Sequence, residues 1–72
     1  MTEALGQAVR ELRLKRGLSQ QELARKSGLH PTYISGIERG LRNPTWRSIG
    51  RVCDALGVTI SELAALAERQ ER

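Results

Sequence analysis

The chain has 72 residues, 12 of them Lys or Arg against 8 Asp or Glu, for a formal charge of +4. That length fits a single domain, read as residues 1–72 with a core over about residues 5–66, and excludes a separate sensor or catalytic domain. One Cys (Cys53) and one His (His30) allow no internal disulfide and fall short of the about four ligands of a structural zinc site, so no metal and no cofactor is expected.

The chain is punctuated every ten to fifteen residues, and the segments between have helical period. Helix one is predicted over residues 3–16, with Leu5, Ala8, Val9 and Leu12 at i, i+3, i+4 and i+7, and ends at Gly17. Ser19-Gln20-Gln21-Glu22 is a capping box: the Ser hydroxyl can accept from the N–H three residues on, and the Glu can reach back. Helix two follows, turns Leu23 and Ala24 inward, and stops at Gly28. Pro31 suits a first helical position, where a missing N–H costs nothing. Helix three runs to about Arg39 with Ile34 and Ile37 inward, and ends at Gly40. After the loop Leu41-Arg42-Asn43-Pro44, Thr45 is the cap of helix four, whose inward stripe reads Trp46, Ile49, Val52, Cys53 and Leu56. Thr59-Ile60-Ser61-Glu62 is a second capping box. It opens helix five, which carries Ile60, Leu63, Leu66 and Ala67 and frays into a polar tail, residues 68–72. The fold class is therefore all-α, with five short helices and a core of Leu, Ile, Val and Ala.

Charge is unevenly spread. Residues 10–51 hold ten basic side chains and three acidic ones, net +7, while the two ends together are net −3. A basic centre suits an anionic partner, although charge alone describes a solvated surface equally well. No apolar run approaches ~18 residues, and the first ten residues lack a signal-peptide pattern, so a cytoplasmic protein with no membrane partner is expected.

The spacing within residues 20–39 carries more. With Gln20 as the first position of a twenty-residue helix-turn-helix, Ala24 is fifth, Gly28 ninth, Ile34 fifteenth and Ile37 eighteenth. The fifth must be small where two helices cross, and the ninth must turn the chain sharply, which favours Gly. The other two anchor the second helix and turn its opposite side outward.

These residues resemble the lambda-repressor-like (Xre/Cro) DNA-binding family. The resemblance spans about residues 5–66, through Arg10-Glu-Leu-Arg13, Gly17 to Ala24, Gly28-Leu29, Tyr33 to Gly40, Arg42 to Thr45 and Ala55 to Leu63. Within the family, Thr32 to Arg39 is most similar to the controller proteins of restriction–modification systems. The resemblance implies a compact five-helix domain with base-reading positions at His30, Pro31, Thr32, Tyr33, Ser35 and Gly36. It implies phosphate contacts from Gln20, Gln21, Arg39, Arg42 and Asn43, helped at Gln20 by the positive end of its helix. It implies a charged pair, Arg13 with Glu38, and a subunit contact through Ile60, Leu63, Leu66 and Ala67.

The sequence departs from the family where many members carry Gln or Arg that bonds a base bidentately: here stand Pro31 and Gly36. Readout then leans on Thr32, Tyr33 and Ser35, with a larger share for DNA shape. His30 reads as a cap more than a base reader, Cys53 as core, and Arg25 and Lys26 as solvated. The function expected is a sequence-specific, double-stranded-DNA-binding transcription regulator. It would act as a homodimer on a pseudo-palindromic operator, with no enzymatic activity and no small-molecule ligand. The alternative is a protein-interaction module of the same fold, such as an antitoxin or coactivator.

Overall fold

The computed structural model describes residues 2–71; positions 1 and 72, the ends of the expected domain and tail, lie outside the described residues. Five helices follow in order: α1 (Thr2–Lys15), α2 (Gln20–Ser27), α3 (Pro31–Glu38), α4 (Trp46–Leu56) and α5 (Ile60–Gln70). No strand is present among the described residues.

Local chemistry sets the helix ends. Both capping boxes form: the Glu22 N–H donates to Ser19 Oγ at 3.0 Å while Glu22 Oε1 accepts from the Ser19 N–H at 2.8 Å. Thr59 and Glu62 repeat the exchange at 3.0 and 2.9 Å. Each satisfies two backbone groups that the helix start would otherwise leave unpaired. Thr45 caps α4 by accepting from the Ser48 N–H at 3.1 Å. Gly28 closes α2 with φ +72°, a left-handed conformation that residues with a β-carbon avoid.

Helix α1 packs on α3 and α5, α2 packs on α3 and α4, and α4 meets α5. The buried set is Ala8, Val9, Leu23, Ala24, Ile34, Ile37, Ile49, Val52, Cys53, Leu56, Leu63, Leu66 and Ala67. No large aromatic side chain belongs to it. Gly6 lets α1 lie directly on the end of α3: a β-carbon there would run into the carbonyl oxygens of Ile37 and Glu38. At the far end of α1, Arg16 Nε donates to the Leu56 carbonyl at 2.8 Å. That carbonyl lies in the last turn of α4, where carbonyls lack helical donors and the dipole favours a cation.

Three expectations are corrected. Trp46 is 75% exposed rather than core. It lies in the same angular direction as Ile49 and Val52, but it is the first residue of α4, beyond the reach of the neighbouring helices. The polar tail is not frayed over most of its length, because α5 continues to Gln70, whose amide donates to Glu11 on α1 at 2.9 Å. Leu63 and Ala67, assigned by resemblance to a subunit contact, are each 1% exposed. They face α1 and the core of their own chain, and Leu66 is buried with them. Ile60 alone of the four is only partly buried.

Candidate nucleic-acid interface

Helices α2 and α3 form the helix-turn-helix. The Gly28 N–H reaches the carbonyls of Ala24 and Arg25, and the Leu29 N–H returns to Ala24 at 3.0 Å. These bonds end α2 and swing the chain into α3. His30 then caps α3: its Nδ1 accepts from the Thr32 N–H at 3.1 Å. Pro31 follows as the first helical residue. One ring nitrogen of the exposed His30 is thus committed to the helix start.

Helix α3 has a buried face and a more exposed one. Ile34 and Ile37 are buried, as is Glu38. Thr32 is exposed, Pro31 and Ser35 are half-buried, and Tyr33, also half-buried, packs in part against the core. Gly36 departs from its expected place. It is buried, and the side chain of Arg42 lies over it. It offers no surface to a base.

An ion pair fixes this helix from behind. Arg13 Nε donates to Glu38 Oε2 at 2.7 Å, and Nη2 donates to Oε1 at 3.1 Å. The two side chains are 9% and 2% exposed. The third nitrogen, Nη1, donates to the Leu18 carbonyl at 2.7 Å. Gln20 joins the same group, with Nε2 donating to Glu38 Oε1 at 3.0 Å. One carboxylate thus holds α1, the start of α2 and the end of α3 together. This geometry gives Gln20 a bracing role, with one N–H of its amide turned to Glu38.

Gln21, Arg39, Arg42 and Asn43 are exposed around this face. Arg39 caps the end of α3, and Gly40 carries the chain into the loop with φ +74°. The Leu41 N–H bonds the Gly36 carbonyl at 2.9 Å and the Gly40 N–H bonds Ile37 at 3.1 Å, the paired closure of a Schellman end. It doubles the chain back so that the Arg42 guanidinium sits 5.9 Å from the centre of the Tyr33 ring. Sequence reasoning missed that contact. The signal was the glycine at 40, which returns the residue two further on to the helix it has just left.

Of the ten basic residues between 10 and 51, Arg13 and Arg16 are tied to internal acceptors. At the start of α2 the capping bonds from Ser19 hold the Glu22 carboxyl below the usual carboxylate range. Burial pushes the Cys53 thiol up. Among the described residues, no group of three or more His, Cys, Asp or Glu is arranged to hold a metal, and no helix is long and apolar enough to cross a membrane.

The fold and this site define the helix-turn-helix class. A family model described as helix-turn-helix matches residues 9–63, and the chain belongs to that family. It is 49% identical over 59 residues to the control protein C.BamHI of Bacillus amyloliquefaciens, covering 81% of this chain and 73% of that one. The restriction-modification controller protein C.AhdI from Aeromonas hydrophila superposes with a TM-score of 0.85 at 44% identity, over 86% of this chain and 94% of that one. C.Esp1396I bound to a 19 base pair DNA duplex superposes at 0.89 with 32% identity, over 99% and 95%.

Proposed function

We propose that the chain is a sequence-specific, double-stranded-DNA-binding transcription regulator acting as a homodimer on a pseudo-palindromic operator. The carrying observation is α3: its outward residues are held by a buried ion pair, in a fold that superposes on a controller protein bound to DNA. Helix α3 would enter the major groove and present Thr32, Tyr33 and Ser35 to base edges, with Pro31 and the His30 cap shaping its leading end. Gln21, Arg39, Arg42 and Asn43 would hold the phosphates on either side, with Gln20 bracing Glu38 behind them. With no bidentate Arg or Gln on α3, each base contributes modestly and DNA shape contributes the rest.

The subunit contact falls to the surface of α5 left by the core, namely Ile60 and, one turn on, the exposed Ala64. Two copies of α3 would then reach successive major grooves about 34 Å apart. The relatives are control proteins and a DNA-bound controller by name, which supports a binding protein rather than a catalyst.

Selection of bound sites from a random duplex library tests the reading. The expected result is a two-fold symmetric site, bound with log K falling against log salt at about −0.9 per phosphate neutralised. No saturable duplex binding at low salt overturns it and favours a protein partner.

A further inference from the structure

We infer that Gly36 is a positioning residue for DNA binding: its missing β-carbon leaves the space in which the Arg42 stem lies, and so aims the Arg42 guanidinium along Tyr33. The inference rests on the regulator reading above and deepens it by assigning a role to a residue that presents nothing to DNA.

Gly36 sits inside α3, where glycine is costly for a helix. Its backbone does not demand it, since its φ is not among the positive values that Gly17, Gly28, Gly40 and Gly57 adopt. No neighbouring helix demands it either. A β-carbon at 36 would lie 2.5 Å from Arg42 Cγ, 3.4 Å from Cβ and 3.7 Å from Cδ. The space belongs to one side chain.

That side chain cannot simply slide away. The Leu41 and Arg42 N–H groups both bond the Gly36 carbonyl, at 2.9 and 3.1 Å, so the backbone of residue 42 is moored to the residue in question. The conflict is with the root of the arginine, not its free end. A methyl group at 36 must therefore turn the stem about its first bond, and that rotation lifts the guanidinium off the ring. In the native arrangement the stem covers α3 while the charged head reaches the Tyr33 face, at a distance where ring and cation attract. Tyr33 lies one helical turn before Gly36, on the same side. The result is a cation biased toward one position at the margin of the reading face before DNA binds.

The test uses four full-length proteins: wild type, Gly36→Ala, Arg42→Ala and the double variant. Each is titrated by fluorescence anisotropy against a selected duplex at several salt concentrations, and each is unfolded in urea. Arg42→Ala should bind about tenfold more weakly, with a salt slope shallower by about one. Gly36→Ala keeps the charge but loses its aim, so it should bind about two- to fivefold more weakly with the salt slope little changed. The double variant should bind no more weakly than Arg42→Ala. Alanine at 36 should raise the urea midpoint more in the Arg42→Ala background than in wild type, because there only the helix-propensity gain remains. Wild-type binding by Gly36→Ala overturns the inference, as does wild-type binding by Arg42→Ala. Multiplying losses in the double variant also overturn it, since Gly36 then acts apart from Arg42. A wild-type protein with no saturable duplex binding removes the regulator reading itself, and the inference with it.

Discussion

Replacing Arg13 with Met removes both charged donors from Glu38 and leaves it a single neutral partner, the Gln20 amide at 3.0 Å. The Glu38 side chain is only 2% exposed, so water cannot take the arginine's place. Breaking a buried pair from one side costs about 3–5 kcal/mol. The unpaired Leu18 carbonyl adds about 1 kcal/mol. A 72-residue domain has roughly 4–11 kcal/mol in total, at ~0.05–0.15 kcal/mol per residue. Arg13→Met should therefore bring the protein to the edge of unfolding at room temperature. Glu38→Gln keeps one accepting oxygen but leaves the Arg13 charge without a counter-ion and turns an NH2 toward a former donor. It should cost about 3 kcal/mol, the low end of the range for a broken pair, because Arg13 keeps the Leu18 carbonyl. The double variant buries no unpaired charge and should be more stable than Arg13→Met alone. Urea unfolding of the four proteins, followed by circular dichroism, closes the cycle, with a coupling of about 3 kcal/mol expected. If the two single losses simply add in the double variant, to within ~0.5 kcal/mol, the ion pair does not hold α3 as argued.

Gly6→Ala should lower the urea midpoint, although alanine gains about 1 kcal/mol of helix propensity, because the obstructing atoms are backbone carbonyls that cannot rotate aside; an unchanged or raised midpoint contradicts the close approach of α1. Glu22 and Glu62 are held below the usual carboxylate range by their capping bonds, so their contribution is complete above the ordinary glutamate pKa and is lost as pH falls through the lower folded-state value. Glu22→Gln with Glu62→Gln should flatten the acid limb of stability against pH, measured by thermal melts across that range. Cys53 should resist thiol reagents at neutral pH until the chain is unfolded, since it is buried and its thiol is pushed up by burial. Trp46, the sole tryptophan, should emit as a fully hydrated indole in the native protein, and its emission should change little on unfolding; a blue-shifted native spectrum contradicts its exposure.

The helix ends and the helix-turn-helix spacing were legible in the sequence because their causes are local. A capping box spans four residues, and a left-handed glycine acts on the turn before it. Ala24, Ile34 and Ile37 fall where the twenty-residue pattern puts them, all buried. Trp46 shows where such reasoning stops. Periodicity gives the direction of a side chain around the axis, but not how far along the axis the core extends. Leu63 and Ala67 show a second limit: the partner of α5 is α1, fifty or so residues away, and nothing local distinguishes a face that meets it from one that meets another subunit. The Arg13–Glu38 pair came from resemblance, and the geometry agrees. The Arg16 tie to Leu56 and the Arg42 contact with Tyr33 depend on how the chain returns through space, and neither was foreseen.

The division of α3 into two faces bears on how such a protein can change its target. Ile34, Ile37 and Glu38 answer to the rest of the chain, whereas Thr32 and Ser35 make no contact that the core requires. Substitutions on the outward face can accumulate without crossing an unstable intermediate, so, on the proposed reading of that face, new target sequences would be reachable one residue at a time. The exception is the patch shared by Tyr33, Gly36 and Arg42, where a change at one position alters what the other two can do. Lineages that diverge in target preference should therefore vary freely at 32 and 35 but exchange 33, 36 and 42 as a set.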